Sequence, residues 1–149
     1  MSDKQKQPSM GALDSLLGYK LRRAQLAFFA DFAATCSDLK LTPGLFSVME
    51  VAHNNPGLSQ SAIAMALGND RSAMVFAVDK LEKLGYIERQ RCEGDRRSYA
   101  LHLTKLGQEI QRKARKRVAE HDAKFSSALS GEEEQQLISM LERFISVAP

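Results

Sequence analysis

Between Leu58 and Leu103 the apolar residues change their spacing from helical to alternating, and few small folds accommodate that change. The run LSQSAIAMALGNDRSAMVFAVDKLEKL, residues 58–84, reads as two helices. Ser59 can cap the first, which carries Ile63, Ala64 and Leu67 and closes at Gly68. Asp70 can cap the second, whose Met74, Ala77, Val78, Leu81 and Leu84 share one face before Gly85 ends it. Small residues at the junction let two such helices cross steeply, as in a helix-turn-helix. Two short strands follow, over 86–91 and 98–103, around the turn Glu93-Gly94-Asp95. The second alternates Tyr99, Leu101 and Leu103 against Ser98, Ala100 and His102, which predicts one buried face.

Helices flank this unit. Leu13, Leu16, Leu17, Leu21, Ala24, Phe28 and Phe32 lie at helical spacing, predicting one helix from Ala12 to about Thr35. Its apolar second half needs cover on nearly all sides, which points to a partner subunit. Thr42-Pro43 starts a helix that runs to about His53 and stops at Asn54-Asn55-Pro56-Gly57. Thr104 caps a long helix to about Leu129, and Ser130 caps a last one striped by Leu137, Met140, Leu141, Phe144 and Ile145. The predicted fold is mainly α with a small β-hairpin (α+β). A flexible segment, 1–11, precedes a domain over 12–147, in which a winged helix, 42–104, is bracketed by dimerisation helices over 12–37 and 104–147.

Charge divides along the chain. Residues 70–117 carry 13 basic and 7 acidic side chains, and residues 118–149 carry 2 and 6, so the middle is the part suited to a polyanion. No apolar run is long enough to span a membrane, and the N-terminus has no signal-peptide core, so a cytoplasmic protein is expected. Cys36, Cys92 and three scattered histidines offer neither a disulfide framework nor zinc spacing. No cofactor motif and no nucleophile or acid–base constellation emerges, so catalytic and metal sites are not expected.

The second helix of the pair turns Ser72, Val75, Phe76, Asp79 and Lys83 away from its core stripe. Its first turns suit the major groove of double-stranded DNA, with Ser59, Ser61, Arg71 and Ser72 as donors to phosphates. An ordinary helical hairpin would show the same pattern. The following hairpin carries Arg89, Arg91, Arg96 and Arg97, and a thin arginine-tipped ribbon suits the narrow minor groove; a solvated basic turn is the plainer alternative. The run Arg112-Lys113-Ala114-Arg115-Lys116-Arg117 reads mainly as a solvated face, with a phosphate patch or an anionic ligand as alternatives.

DRRSYALHLTKLG, following DRSAMVFAVDKLEKLGYIER, resembles the multiple-antibiotic-resistance regulator (MarR) family. The likeness covers about 12–147, with its core motif at 58–107. It implies a homodimeric winged-helix transcription factor on a pseudo-palindromic operator, usually a repressor, with the first and last two helices as the dimer interface. By that resemblance Asp95 orients Arg97 in the wing, Arg96 reaches the minor groove, and Ser72, Ala73, Val75 and Phe76 occupy the base-reading positions. Where the family often has Thr then Arg, this chain has Val75 then Phe76. Neither can donate to a base; they could pack on thymine methyl groups, or Phe76 could tuck against the hairpin.

The resemblance further implies release from DNA by a small anionic or phenolic effector bound between the dimer helices and the winged helix. A local likeness to regulators of aromatic-acid degradation suggests an aromatic acid or its coenzyme A thioester. Candidate residues are Tyr19, Arg22, Arg23, Phe28, Phe46 and Met49, with Phe29 as a further apolar wall and the arginines as a carboxylate or phosphate clamp. Intersubunit ion pairs would equally explain the arginines. Alternative functions are a redox-responsive regulator using Cys36 or Cys92 and a ligand-independent DNA-binding protein.

Overall fold

The structure, a computed structural model, describes residues 8–92 and 94–147, without the side chains of Asp95 and Arg96. Its helices are α1 (Leu17–Cys36), α2 (Pro43–Asn54), α3 (Gln60–Leu67), α4 (Arg71–Lys83), α5 (Lys105–Ser126) and α6 (Gly131–Ile145), and between α4 and α5 lies the hairpin β1 (Ile87–Cys92) and β2 (Asp95–Leu103). Sequence signals set most boundaries. Hydroxyl or carboxylate oxygens of Thr42, Ser59, Asp70, Thr104 and Ser130 each accept from a backbone N–H of the first helical turn. Ser130 and Glu133 complete a capping box. Gly68 ends α3 at φ 66°, a left-handed conformation that costs glycine little.

The first helix begins later than its periodicity predicts. Gly11–Ser15 is a separate 3-10 turn, Leu16 is extended at ψ 122°, and α1 starts at Leu17. The Ser15 hydroxyl donates to the Ala12 carbonyl, and Gly18 weakens the first turn that would have joined the two segments.

The core lies where α2, α3, α4, β1, β2 and the middle of α5 converge on the end of α1. Phe32, Val48, Met49, Ile63, Met74, Val78, Leu81 and Leu101 are fully buried there, each contributing about 1.5–3 kcal/mol of transfer free energy. The strands pair antiparallel from Ile87↔Leu103 to Arg91↔Tyr99. The expected one-sided burial of β2 fails at Ala100, which is buried although it faces opposite Leu101. The segment before α3 lies along the strand: Ser59 bridges Ala100, and the Leu101 N–H donates to the Leu58 carbonyl at 3.1 Å. Both faces of the hairpin base are therefore covered, whereas Tyr99, farther out, is exposed.

Side-chain bridges fix α5 to α2 and to the end of α1. Gln111, buried, donates to Glu50 at 2.6 Å, and Arg115 meets the same carboxylate at 3.0 Å. Arg117 donates to the Thr35 carbonyl at 3.2 Å and pairs with Asp38, whose carboxyl that bond holds below its usual range. The run 112–117 is thus not simply a solvated face: half-buried Arg117 and exposed Arg115 brace the fold, while Arg112, Lys113 and Lys116 are exposed. Among the described residues no helix is long and apolar enough to cross a membrane, and no group of three metal-ligating side chains is placed to hold an ion.

Candidate nucleic-acid interface

The face opposite the core is built on α4. Met74, Val78 and Leu81 face inward, which leaves Ser72, Val75 and Phe76 outward on the first two turns. Phe76 is 70% exposed, so it does not tuck against the hairpin. Between α3, α4 and the hairpin lies an open cleft of about 930 Å³, lined among others by Ser61, Met65, Arg71, Val75, Arg97 and Tyr99. Ser72 and Phe76 border a shallower depression beside it, shared with Arg71 and Val75. Ala73 turns toward Thr42 and Gly44 at the start of α2, and its N–H is committed to Asp70 at 2.8 Å. The Ser59 hydroxyl likewise serves its own helix, accepting from the Ala62 N–H at 3.1 Å.

In the hairpin, the Arg91 guanidinium lies 5.9 Å from the centre of the Tyr99 ring on the paired strand. Gly94 turns the chain at φ 84°. Arg97 stands at the edge of the cleft. The roles expected of Asp95 and Arg96 concern side chains outside the described residues, as does Glu93 of the turn. Arg89 is not a tip arginine. It donates to Gln60 at 3.0 Å and to Asp79 at 2.7 Å, and pairs with Glu82, so it ties the base of the hairpin to α3 and α4. Asp79, on the outward face of α4, thereby acquires a structural partner.

Two features escaped the sequence reading. Met65, 83% exposed on α3, adds an apolar side chain to the cleft; it occupied no stripe and gave no signal. The Arg89 bracket carried a weak one, since acidic residues on the outward face of a DNA-facing helix call for a cation.

The effector candidates do not form one wall in a single chain. Tyr19 and Arg23 meet at the start of α1, where the guanidinium donates to the phenol oxygen at 3.2 Å, and Arg22 is exposed. Phe28 lies more than a turn farther along, on a different side of α1, in edge contact with His121 and tilted against Phe125. Phe46 is half-buried near Phe32. Met49 is fully buried in the core. Cys36 is also fully buried, and burial pushes its thiol up, away from the reactive thiolate. That opposes a redox role for Cys36.

A capped helix with a bare apolar and polar face, set across an open cleft from an arginine-bearing hairpin, defines a winged-helix DNA-binding module. The MarR family model matches residues 41–99. A putative transcriptional regulatory protein for the hcr operon of Thauera aromatica is 42% identical over 134 residues, covering 89% of this chain and 81% of that protein. The structure of the transcriptional repressor CouR bound to a 23-mer DNA duplex superposes with a TM-score of 0.86 at 39% identity, covering 94% of this chain and 99% of that one. CouR bound to p-coumaroyl-CoA gives a TM-score of 0.84 at 38% identity, covering 92% and 96%. The chain belongs to the MarR family and is a transcriptional regulator of that type.

Proposed function

We propose that this chain is a homodimeric repressor that binds a pseudo-palindromic operator and is released by an aromatic acyl-coenzyme A thioester. The observation that carries DNA binding is the outward face of α4, open toward the hairpin although the opposite face is fully packed. The duplex-bound and p-coumaroyl-CoA-bound forms of CouR support both halves of the reading. The dimer is supported by α6, which buries no residue against its own chain while Leu137, Met140, Phe144 and Ile145 stand exposed. The Leu13, Leu16 and Leu17 side chains are exposed in the same way and complete the expected interface. Readout combines apolar contact from Val75 and Phe76 with donors from Arg71 and Ser72 and a minor-groove arginine, Arg96, in the wing.

Titration of labelled promoter fragments tests this. Arg96→Ala should weaken operator binding by about 1–3 kcal/mol, the scale of a good groove contact. Arg97→Ala should weaken it too, by loosening the wing through loss of the Asp95 pairing that the family resemblance implies. Parent-like affinity and salt slope in both variants would remove the wing from the interface. Phe76→Ala should lower affinity with the melting temperature unchanged, because the ring is outside the core. Replacing thymine by uracil in the half-site removes only a methyl group, and it should reproduce part of that loss at one or two positions. Binding indifferent to uracil everywhere would exclude apolar readout.

A further inference from the structure

Asp31 on α1 and His121 on α5 form a pair that the DNA-binding face does not use. The His121 side chain is completely buried, and its Nδ1 lies 2.8 Å from an Asp31 carboxylate oxygen. The other Asp31 oxygen accepts from Lys124. These two bonds, Lys124 first, hold the Asp31 carboxyl below its usual range. An ionised carboxylate only accepts, so Nδ1 must carry the hydrogen and Nε2 faces the other way. Among the described residues, Nε2 of His121 is the one buried side-chain nitrogen or oxygen without a hydrogen-bond partner. Its surroundings are aromatic: the imidazole centre lies 4.3 Å from that of Phe28, 5.1 Å from Phe125 and 5.6 Å from Phe32, all three edge-on. Phe28 and Phe125 are only half-buried, with ring centres 4.7 Å apart, and form the outer wall of this box.

We infer that this box receives the aromatic end of a phenol-bearing effector, with His121 Nε2 as the atom that recognises its hydroxyl. The inference rests on the effector reading above and gives it a residue absent from the sequence-based candidates. A buried nitrogen left unpaired carries a desolvation cost that a bound partner recovers. A phenolic hydroxyl both donates and accepts, so it satisfies Nε2 whether or not that atom carries a hydrogen. Asp31 and Lys124 fix the imidazole in one orientation, and the phenylalanines offer edges and faces to a flat ring. Entry requires Phe28 and Phe125 to part. Because Asp31 is on α1 and His121 on α5, an effector held there acts on two helices at once.

The test uses the full-length protein with ¹⁵N-labelled histidine. Titration with p-cresol should move the His121 Nε2 resonance to a hydrogen-bonded position, whereas toluene at the same concentration should not. No movement, equal movement with toluene, or an Nε2 signal already hydrogen-bonded in the ligand-free protein overturns the assignment. In parallel, the wild type should bind p-coumaroyl-CoA about tenfold more tightly than cinnamoyl-CoA, which lacks only the hydroxyl, a factor equal to about 1.4 kcal/mol. His121→Phe, which keeps the box filled, should lose that preference; equal affinities in the wild type overturn the assignment. If p-cresol moves Nε2 but neither thioester binds or releases operator DNA, the hydroxyl site stands and the thioester reading falls. If thioesters release DNA without a hydroxyl preference, the reverse holds.

Discussion

Gly107→Ala should destabilise the protein by about 3 kcal/mol or more, lowering the melting temperature by about 10 °C. A Cβ at Gly107 would lie 1.8 Å from the Tyr86 carbonyl oxygen and 2.8 Å from its carbon. Both atoms are backbone, so no side chain can swing aside. The two segments are also locked together. Thr104 N–H donates to that Tyr86 carbonyl at 3.1 Å, the Thr104 hydroxyl donates to Gly85 at 2.6 Å, and Gly107 N–H donates to the Thr104 hydroxyl at 2.9 Å. Relieving the clash means breaking the junction between the hairpin and α5. Gly44→Ala is the matched control, since nothing lies within 4 Å of its Cβ position, and it should be close to neutral. Calorimetry showing Gly107→Ala as stable as Gly44→Ala would contradict this packing of α5.

Leu137→Asp combined with Phe144→Asp should convert the protein to monomers at micromolar concentration. These side chains are 45% and 51% exposed on α6 in the single chain. In a two-fold dimer each occurs twice, so four side chains at about 1.5–3 kcal/mol each are removed from the interface. Burying new carboxylates adds to the loss. Operator affinity should fall by about 100-fold or more, because the second half-site no longer binds from the same molecule. Sedimentation measures the first effect and operator titration the second. A double variant that remains dimeric would show that this stripe is not the interface.

Much of the winged helix was legible because its signals are local. Thr42-Pro43, Ser59, Asp70, Gly68 and Thr104 set helix ends through contacts within a few residues. The exposure of Phe76 followed from its angle to the Met74–Val78–Leu81 stripe. The failures depend on partners distant in sequence. Ala100 is buried by Leu58 and Ser59, which no alternation pattern within β2 can reveal. Met49 shares a helix with half-buried Phe46, and only the tertiary packing decides which of them is enclosed. Gly107 reads as a mild helix weakener until the Tyr86 carbonyl is placed against it. His121 looked like one of three scattered histidines; its meaning comes from Asp31 and the phenylalanines of α1.

The most direct measurement is a genomic footprint of the purified protein, repeated with p-coumaroyl-CoA. The expected result is protection of a few sites made of two A·T-containing half-sites, with centres about 10 base pairs or a multiple apart, and loss of that protection when the thioester is added. Protection without sequence preference, or paired protection that survives saturating thioesters and aromatic acids alike, would contradict a ligand-released operator-binding repressor.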